Sequence, residues 1–142
     1  MMKRNSRLSL ALHTLSHMAQ DTDRTQTSSE IAGHAGTNPV VVRRVLGKLR
    51  KAGLLTSERG HSGGWRLARP SHEITFADVY LALEESLVAS RSDTEQHSCQ
   101  VERRLEGRVI EILNEVEATL IDRLAGTTIA EIGGAKALQK NL

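Results

Sequence analysis

The stretch SSEIAGHAGTNPVVVRRVLGKLRKAGLLTSERGHSGGWRLAR, running from Ser28 to Arg69, decides how this chain reads. Just before it, Thr27 followed by Glu30 has the spacing of a capping box, in which the hydroxyl takes a free helix N–H and the carboxylate reaches back. A short helix begins there. Ala32 and Gly36 suit a close helix contact and a left-handed exit from the helix. Asn38 and Pro39 then supply an N-cap and a first-turn proline for a second helix. Helix, glycine turn and capped helix make a helix-turn-helix.

The second of these helices, Pro39 to about Ala52, separates into two faces. Val41, Val42, Val45, Leu46, Leu49 and Ala52 form an apolar side, while Val40, Arg43, Arg44, Gly47, Lys48 and Lys51 recur at helical spacing on the other. On an isolated helix such a cationic stripe is an ordinary solvated face. Behind a glycine turn it suits a phosphate-lined major groove, where the N-terminal residues reach base edges and Val40 can touch a thymine methyl. Gly53 closes the helix, Leu54 to Ser57 is extended, Arg59 to Gly64 turns, and Trp65 to Ala68 returns as a strand that Pro70 stops. This is the outline of a two-stranded wing. Its glycines allow close approach to DNA, and Arg59, His61, Ser62 and Arg66 offer donors to phosphate or the minor groove. Trp65 is expected to pack the wing onto the helices rather than stack a base.

Two enzyme readings of the wing tip fail on context. Gly60-His61-Ser62-Gly63-Gly64 fits the Gly-x-Ser-x-Gly elbow of a hydrolase, but an elbow needs a helix directly after the serine. A phosphate-cradling loop needs a helix after its glycines and a Lys-Ser or Lys-Thr pair. A strand and a proline follow instead. The chain is not expected to be an enzyme.

Composition agrees with a small helical protein. Of 142 residues 39% are hydrophobic but only 2% aromatic, so the core must be built from Leu, Ile, Val and Ala, which suits helices. The net charge is only +2, so the charge argument is local: Arg43, Arg44, Lys48, Arg50, Lys51 and Arg59 stand between positions 43 and 59 against one acid, Glu58. The single cysteine, Cys99, excludes an intramolecular disulfide and fits a reducing compartment. No run approaches the roughly 20 apolar residues that cross a bilayer. The start, MMKRNSRLSLALHTLSHMAQ, is broken by polar residues at helical spacing and reads as an amphipathic helix rather than a signal peptide. A cytoplasmic protein with no membrane partner is the expectation.

Outward from the central stretch, residues from Ser6 to Ala19 form helix one, with Leu8, Ala11, Leu12, Leu15, Met18 and Ala19 on one face. His13 and His17 lie four apart on it and face the same way. With no third ligand spaced nearby in the sequence, no metal site is expected. Gln20 to Gln26 is a polar loop. After the wing, Thr75 and Asp78 cap a fourth helix whose inward face is Phe76, Val79, Leu83 and Tyr80. The segment from Ser86 to Ser98 is polar and reads as a linker.

The last long helix, Gln100 to about Ala125, carries Val101, Leu105, Val109, Ile112, Val116 and Leu120 as one stripe, widened by Ile110, Leu113, Ile121 and Leu124. An arc that wide needs two partners: its own winged domain and the same helix of a second subunit. Thr128 and Glu131 then begin a short terminal helix broken by Gly133-Gly134 and expected near helix one, with a loose tail.

Taken together, Asn-Pro-Val-Val-Val-Arg-Arg-Val-Leu, Leu-Arg-Lys-Ala-Gly-Leu-Leu, Arg-Gly-His-Ser-Gly-Gly-Trp-Arg-Leu-Ala-Arg-Pro and Ile-Thr-Phe-Ala-Asp-Val-Tyr resemble the Rrf2 family of bacterial winged-helix transcription regulators, over essentially the whole chain. The resemblance implies a homodimer on a partly palindromic operator in double-stranded DNA, usually a repressor. Cluster-binding members carry three cysteines in the region of Cys99. This chain has one, so no cofactor is expected and an iron-sulphur cluster is unlike this sequence. Cys99 resembles the last of the three or the lone cysteine of cluster-free members. It is either a thiol switch, favoured by nearby His97 and Arg103, or an inert, partly buried residue.

The expectation is a mainly α fold: a winged helix-turn-helix with a two-stranded wing over 1–85, a linker over 86–99, and a dimerisation helix with a C-terminal helix over 100–142. DNA contacts are expected from Ser28, Thr37, Asn38, Pro39, Val40, Arg43, Arg44, Lys48, Lys51, Arg59, His61, Ser62 and Arg66. The competing reading is a protein-interaction module whose basic face meets an acidic partner and binds DNA only weakly. The operator, the regulated genes and any small-molecule effector are not written in the sequence.

Overall fold

The computed structural model describes residues 7–59, 64–84 and 99–133. Its elements are α1 (Arg7–Gln20), α2 (Ser28–Ala35), α3 (Pro39–Lys51), β1 (Leu55–Glu58), β2 (Gly64–Leu67), α4 (Phe76–Ala82), α5 (Gln100–Leu124) and α6 (Ile129–Gly133), with a 3-10 turn at Ser71–Glu73 before α4. The architecture is mainly α with one antiparallel hairpin.

Local chemistry explains where the helices start and stop. The Thr27 hydroxyl accepts from the Glu30 N–H at 3.1 Å and the Asn38 side chain from the Val41 N–H at 3.0 Å, each such cap contributing about 1 kcal/mol. Gly36 leaves α2 at φ 72°, and its N–H returns to the Ala32 carbonyl. Thr75 and Asp78 form a full capping box on α4. At α2 only half of the expected box is made, because the Glu30 carboxylate is taken by Arg24 at 2.6 Å and by the Thr27 hydroxyl.

The core is built around α1, which packs on α2, α3, α4 and α6. Leu15 of α1, Ile31 of α2, Val42, Leu46 and Leu49 of α3, Leu55 of β1, Ile74, Leu83 and Ile129 are all fully buried in one cluster. Ile129 matters for organisation: it arrives from beyond the long helix, yet burying it adds about 1.5–3 kcal/mol to the winged body. The backbone follows, with the Phe76 N–H donating to Thr127 O at 2.9 Å and the Ile129 N–H to Ile74 O at 2.9 Å. The hydrophobic core therefore joins residues of the expected 1–85 and 100–142 segments, and α6 packs on α1 as expected.

The wing pairs Leu55 with Leu67 and Glu58 with Gly64. It gains a third contact before α2: Gln26 and Trp65 exchange both backbone hydrogen bonds, at 3.1 and 2.8 Å. That exchange explains Gly64, which sits at φ 149°, where an added Cβ would lie 2.7 Å from the Gln26 carbonyl oxygen. A side chain would break the pairing.

Several expectations need correction. Ala52 is exposed, because the chain turns away at Gly53 (φ 82°) and Leu54 takes the buried place. Leu10 and Thr14 of α1 are buried although the periodicity did not single them out. The third imidazole missing near His13 and His17 in sequence is present in space: α1 packs on α2 and brings His34 alongside. The expected linker (Ser86 to Ser98), the wing-tip residues His61 and Ser62, and the tail after Gly133 lie outside the described residues.

Candidate nucleic-acid interface

The exposed side of α3 is the face that the caps and core orient outward. Burying Val42, Val45, Leu46 and Leu49 leaves Val40, Arg43, Arg44 and Lys51 exposed, with Val40 52% exposed despite being apolar. The side chains of Arg43, Arg44 and Lys51 form no hydrogen bond or ion pair with any described residue, so their charges face solvent undirected. Acids are absent from the first turn of α3. Its N-terminal N–H groups and dipole therefore add to the positive potential that an anionic backbone would meet.

The remaining expected contacts divide into free and committed groups. Arg59 is exposed at the root of the wing. Asn38 uses its side-chain oxygen on the Val41 N–H, which leaves its NH2 group to donate. Thr37 and Pro39 are half-buried at the turn, and the Thr37 N–H is used on the Ala32 carbonyl. Lys48 is partly committed: its Nζ donates to Leu83 O at 3.2 Å and so caps the end of α4. Arg66 is anchored to the scaffold, donating to Asp23 O at 3.3 Å with Glu58 3.8 Å away.

Trp65 packs the wing onto the body, as expected. It is half-buried against the core, its Nε1 donates to the Ser28 Oγ at 3.0 Å, and the Arg50 guanidinium lies 5.8 Å from its ring centroid. Ser28 therefore buttresses the wing, and its hydroxyl hydrogen is left to donate. Arg50 was not among the expected contacts because it falls outside the α3 stripe. It also donates to the Ser57 Oγ at 3.0 Å, joining α3 to β1. A cation preceding a strand with one aromatic residue was the available signal.

The second uncovered surface is on α5. Val101, Leu105, Val109, Ile112 and Val116 are 44–63% exposed, whereas Leu120 and the widening residues Ile110, Leu113, Ile121 and Leu124 are half-buried. One side of the helix thus meets its own body through α4, where the Tyr80 hydroxyl donates to Glu117 at 3.2 Å, and the other side meets nothing described. Cys99 is the N-cap of this helix and is exposed rather than partly buried; its carbonyl accepts from the Arg103 N–H. His97 lies outside the described residues.

A capped helix-turn-helix, a cationic third helix and a braced hairpin define a winged-helix DNA-binding regulator of transcription. The chain belongs to the Rrf2 family: the model described as "Iron-dependent Transcriptional regulator" matches residues 4–134. It is 34% identical over 131 residues to YwnA of Bacillus subtilis, whose assignment as an HTH-type transcriptional regulator is provisional, covering 90% of this chain and 95% of that protein. It is 30% identical to the HTH-type transcriptional regulator IscR of Vibrio parahaemolyticus, covering 73% of this chain and 66% of that one. Among solved structures, the oxidised form of CymR from Staphylococcus aureus matches with a TM-score of 0.62 at 25% identity, over 93% of this chain and 96% of that chain.

The family and these relatives are regulators rather than enzymes, and at the wing tip the glycines lead into strand β2, not the helix a nucleophile elbow requires. Iron in the family description calls for ligands, and clusters are held by several thiolates. This chain has one cysteine, exposed at the start of α5, so a single chain does not supply a cluster's donor set. None of the described helices is long and apolar enough to cross a membrane.

Proposed function

We propose that this chain acts as a homodimeric, sequence-specific repressor, with α3 in the major groove and the hairpin beside it as a wing. The observation that carries the reading is the pairing of two uncovered helix faces: the undirected cationic face of α3 and the exposed apolar stripe of α5. The stripe from Val101 to Val116 runs about 22 Å along α5, long enough for a two-fold helix contact. In such a dimer two copies of α3 read half-sites about one helical turn, roughly 34 Å, apart or a multiple of that.

Within this reading Arg43, Arg44 and Val40, near the start of α3, meet base edges, and Asn38 donates to them or to the adjacent phosphate. Lys51, Arg59, Ser28 and Thr37 hold the phosphate backbone, joined by His61 and Ser62 of the wing tip. Lys48 and Arg66 act mainly through the scaffold groups they already hold. The regulator works without an iron-sulphur cluster. Its redox-responsive group is Cys99, supported by its exposure at the start of the dimer helix and by the likeness to a regulator solved in an oxidised form.

Selection of bound genomic fragments tests the central claim. A partly palindromic site should be enriched, with affinity falling steeply as salt rises. Absence of any enriched site, together with tight binding to an acidic protein, would instead establish the protein-interaction reading. For Cys99, an oxidant response of operator binding that survives Cys99→Ser removes the thiol from the mechanism.

A further inference from the structure

On the side of the helix-turn-helix formed by α1 and α2, three imidazoles converge. His13 and His17 stand one helical turn apart on α1, and His34 lies in the last turn of α2. Ring centroids are 4.5 Å apart for His13 and His17, 4.6 Å for His17 and His34, and 5.6 Å for His13 and His34. One ring nitrogen from each lies within 4.8 Å of the other two. All three are exposed, and none makes a hydrogen bond to any described residue, so each keeps a nitrogen lone pair available. A groove of about 440 Å³ lined by Ser9, His13, His34 and Gly36 gives solvent access from one side.

We propose that His13, His17 and His34 form a mononuclear site for a divalent transition-metal ion of the zinc type, with water in the fourth position. Imidazole is the preferred ligand of this borderline-soft class, and three nitrogens with an open position make a tetrahedral site. Metal–nitrogen bonds of about 2.0–2.1 Å bring the nitrogens to about 3.4 Å from one another, a closure within reach of side-chain rotation for exposed rings. Partial desolvation and then the two neighbouring rings hold the His13 pKa below its ordinary value, and partial desolvation and then His17 do the same for His34, which the nearby Glu30 carboxylate opposes. Neutral imidazole is the form a metal binds. The site joins α1 to the end of α2, two residues before Gly36, so the ion fastens the segment from which the turn into α3 departs. The inference does not depend on the proposed operator or dimer.

The test uses the full chain, stripped with chelator, exchanged out of it, and kept reduced. Calorimetric titration with Zn2+ near neutral pH should give one ion per chain, and Co2+ should give the intense visible bands of a tetrahedral nitrogen site. His34→Gln and His17→Gln, on different helices and at exposed positions, should each weaken Zn2+ binding by about 100-fold or more and abolish the cobalt bands, since even supporting-shell losses cost 10–100-fold. Circular dichroism of both variants should match the parent, and Cys99→Ser should bind as the parent does. No binding by the parent, binding that survives both histidine variants, or binding lost with Cys99→Ser would each overturn the assignment. Zn2+ should also raise the thermal midpoint of the parent and leave that of His34→Gln unmoved; an equal rise in both overturns it as well.

Discussion

The outward faces of α3 and α5 are both helix surfaces that the described residues leave uncovered, and they are opposite in chemistry. On α3 the exposed groups include Arg43, Arg44 and Lys51, whose side chains have no directed partner among the described residues; on α5 they include Val101, Leu105, Val109, Ile112 and Val116. A bare cationic face is stable in water and waits for a polyanion. A bare apolar stripe is costly in water, at about 25 cal/mol per Å², and is relieved only by another apolar surface. In the proposed reading one molecule thus displays a face for a different polymer and a face for its own copy. The two are separable by substitution.

The largest expected effect comes from breaking the apolar face. Val109→Glu places a charge in the proposed seam, so sedimentation should report monomer, and affinity for a two-half-site operator should drop by about 10²–10⁴-fold as the avidity of linked half-sites is lost. A variant that remains dimeric would move the seam elsewhere. On the cationic face Arg44→Ala should leave the dimer intact and remove about 1–3 kcal/mol of discrimination between operator and random duplex, read from competition binding. Asn38→Ala sharpens the comparison from within, because Asn38 both caps α3 and offers its NH2 to DNA. Thermal unfolding should show a loss of about 1 kcal/mol with no change in oligomeric state. Lys51→Ala should have the smallest effect, weakening all sequences alike and lowering the slope of log affinity against log salt by about 1. Identical behaviour of Arg44→Ala and Lys51→Ala would erase the division between base and phosphate contacts.

What the sequence made legible was whatever one element writes in its own neighbourhood. Asn38-Pro39, Gly36 and Thr75-Asp78 mark helix ends by local hydrogen bonding, and they lie at those ends. The two faces of α3 follow from its period, apart from Ala52 at its close. Illegible were the contacts set by which element lies against which. Nothing local to Lys48 announces that the Leu83 carbonyl, 35 residues on, will take its ammonium group. Arg66 reads as a wing donor until the loop before α2 supplies the Asp23 carbonyl. His34 joins His13 and His17 for the same reason: α2 carries it there. A helical period tells a residue's direction and is silent about what stands in that direction.

The closing contacts at Thr127, Thr128 and Ile129 have a mechanical consequence. They clamp the far end of α5 to Ile74, Thr75 and Phe76 at the start of α4, while Tyr80 holds Glu117 further back along the helix. The 25-residue helix, about 37 Å long, is thereby a lever arm with a fixed heel and an outer end, near Cys99, that no other described part of the chain covers. In the proposed dimer a tilt of a few degrees where two such arms cross is multiplied along their length into ångströms of travel for the reading heads. A small chemical event at the tip could then take two α3 helices out of step with the pitch of DNA.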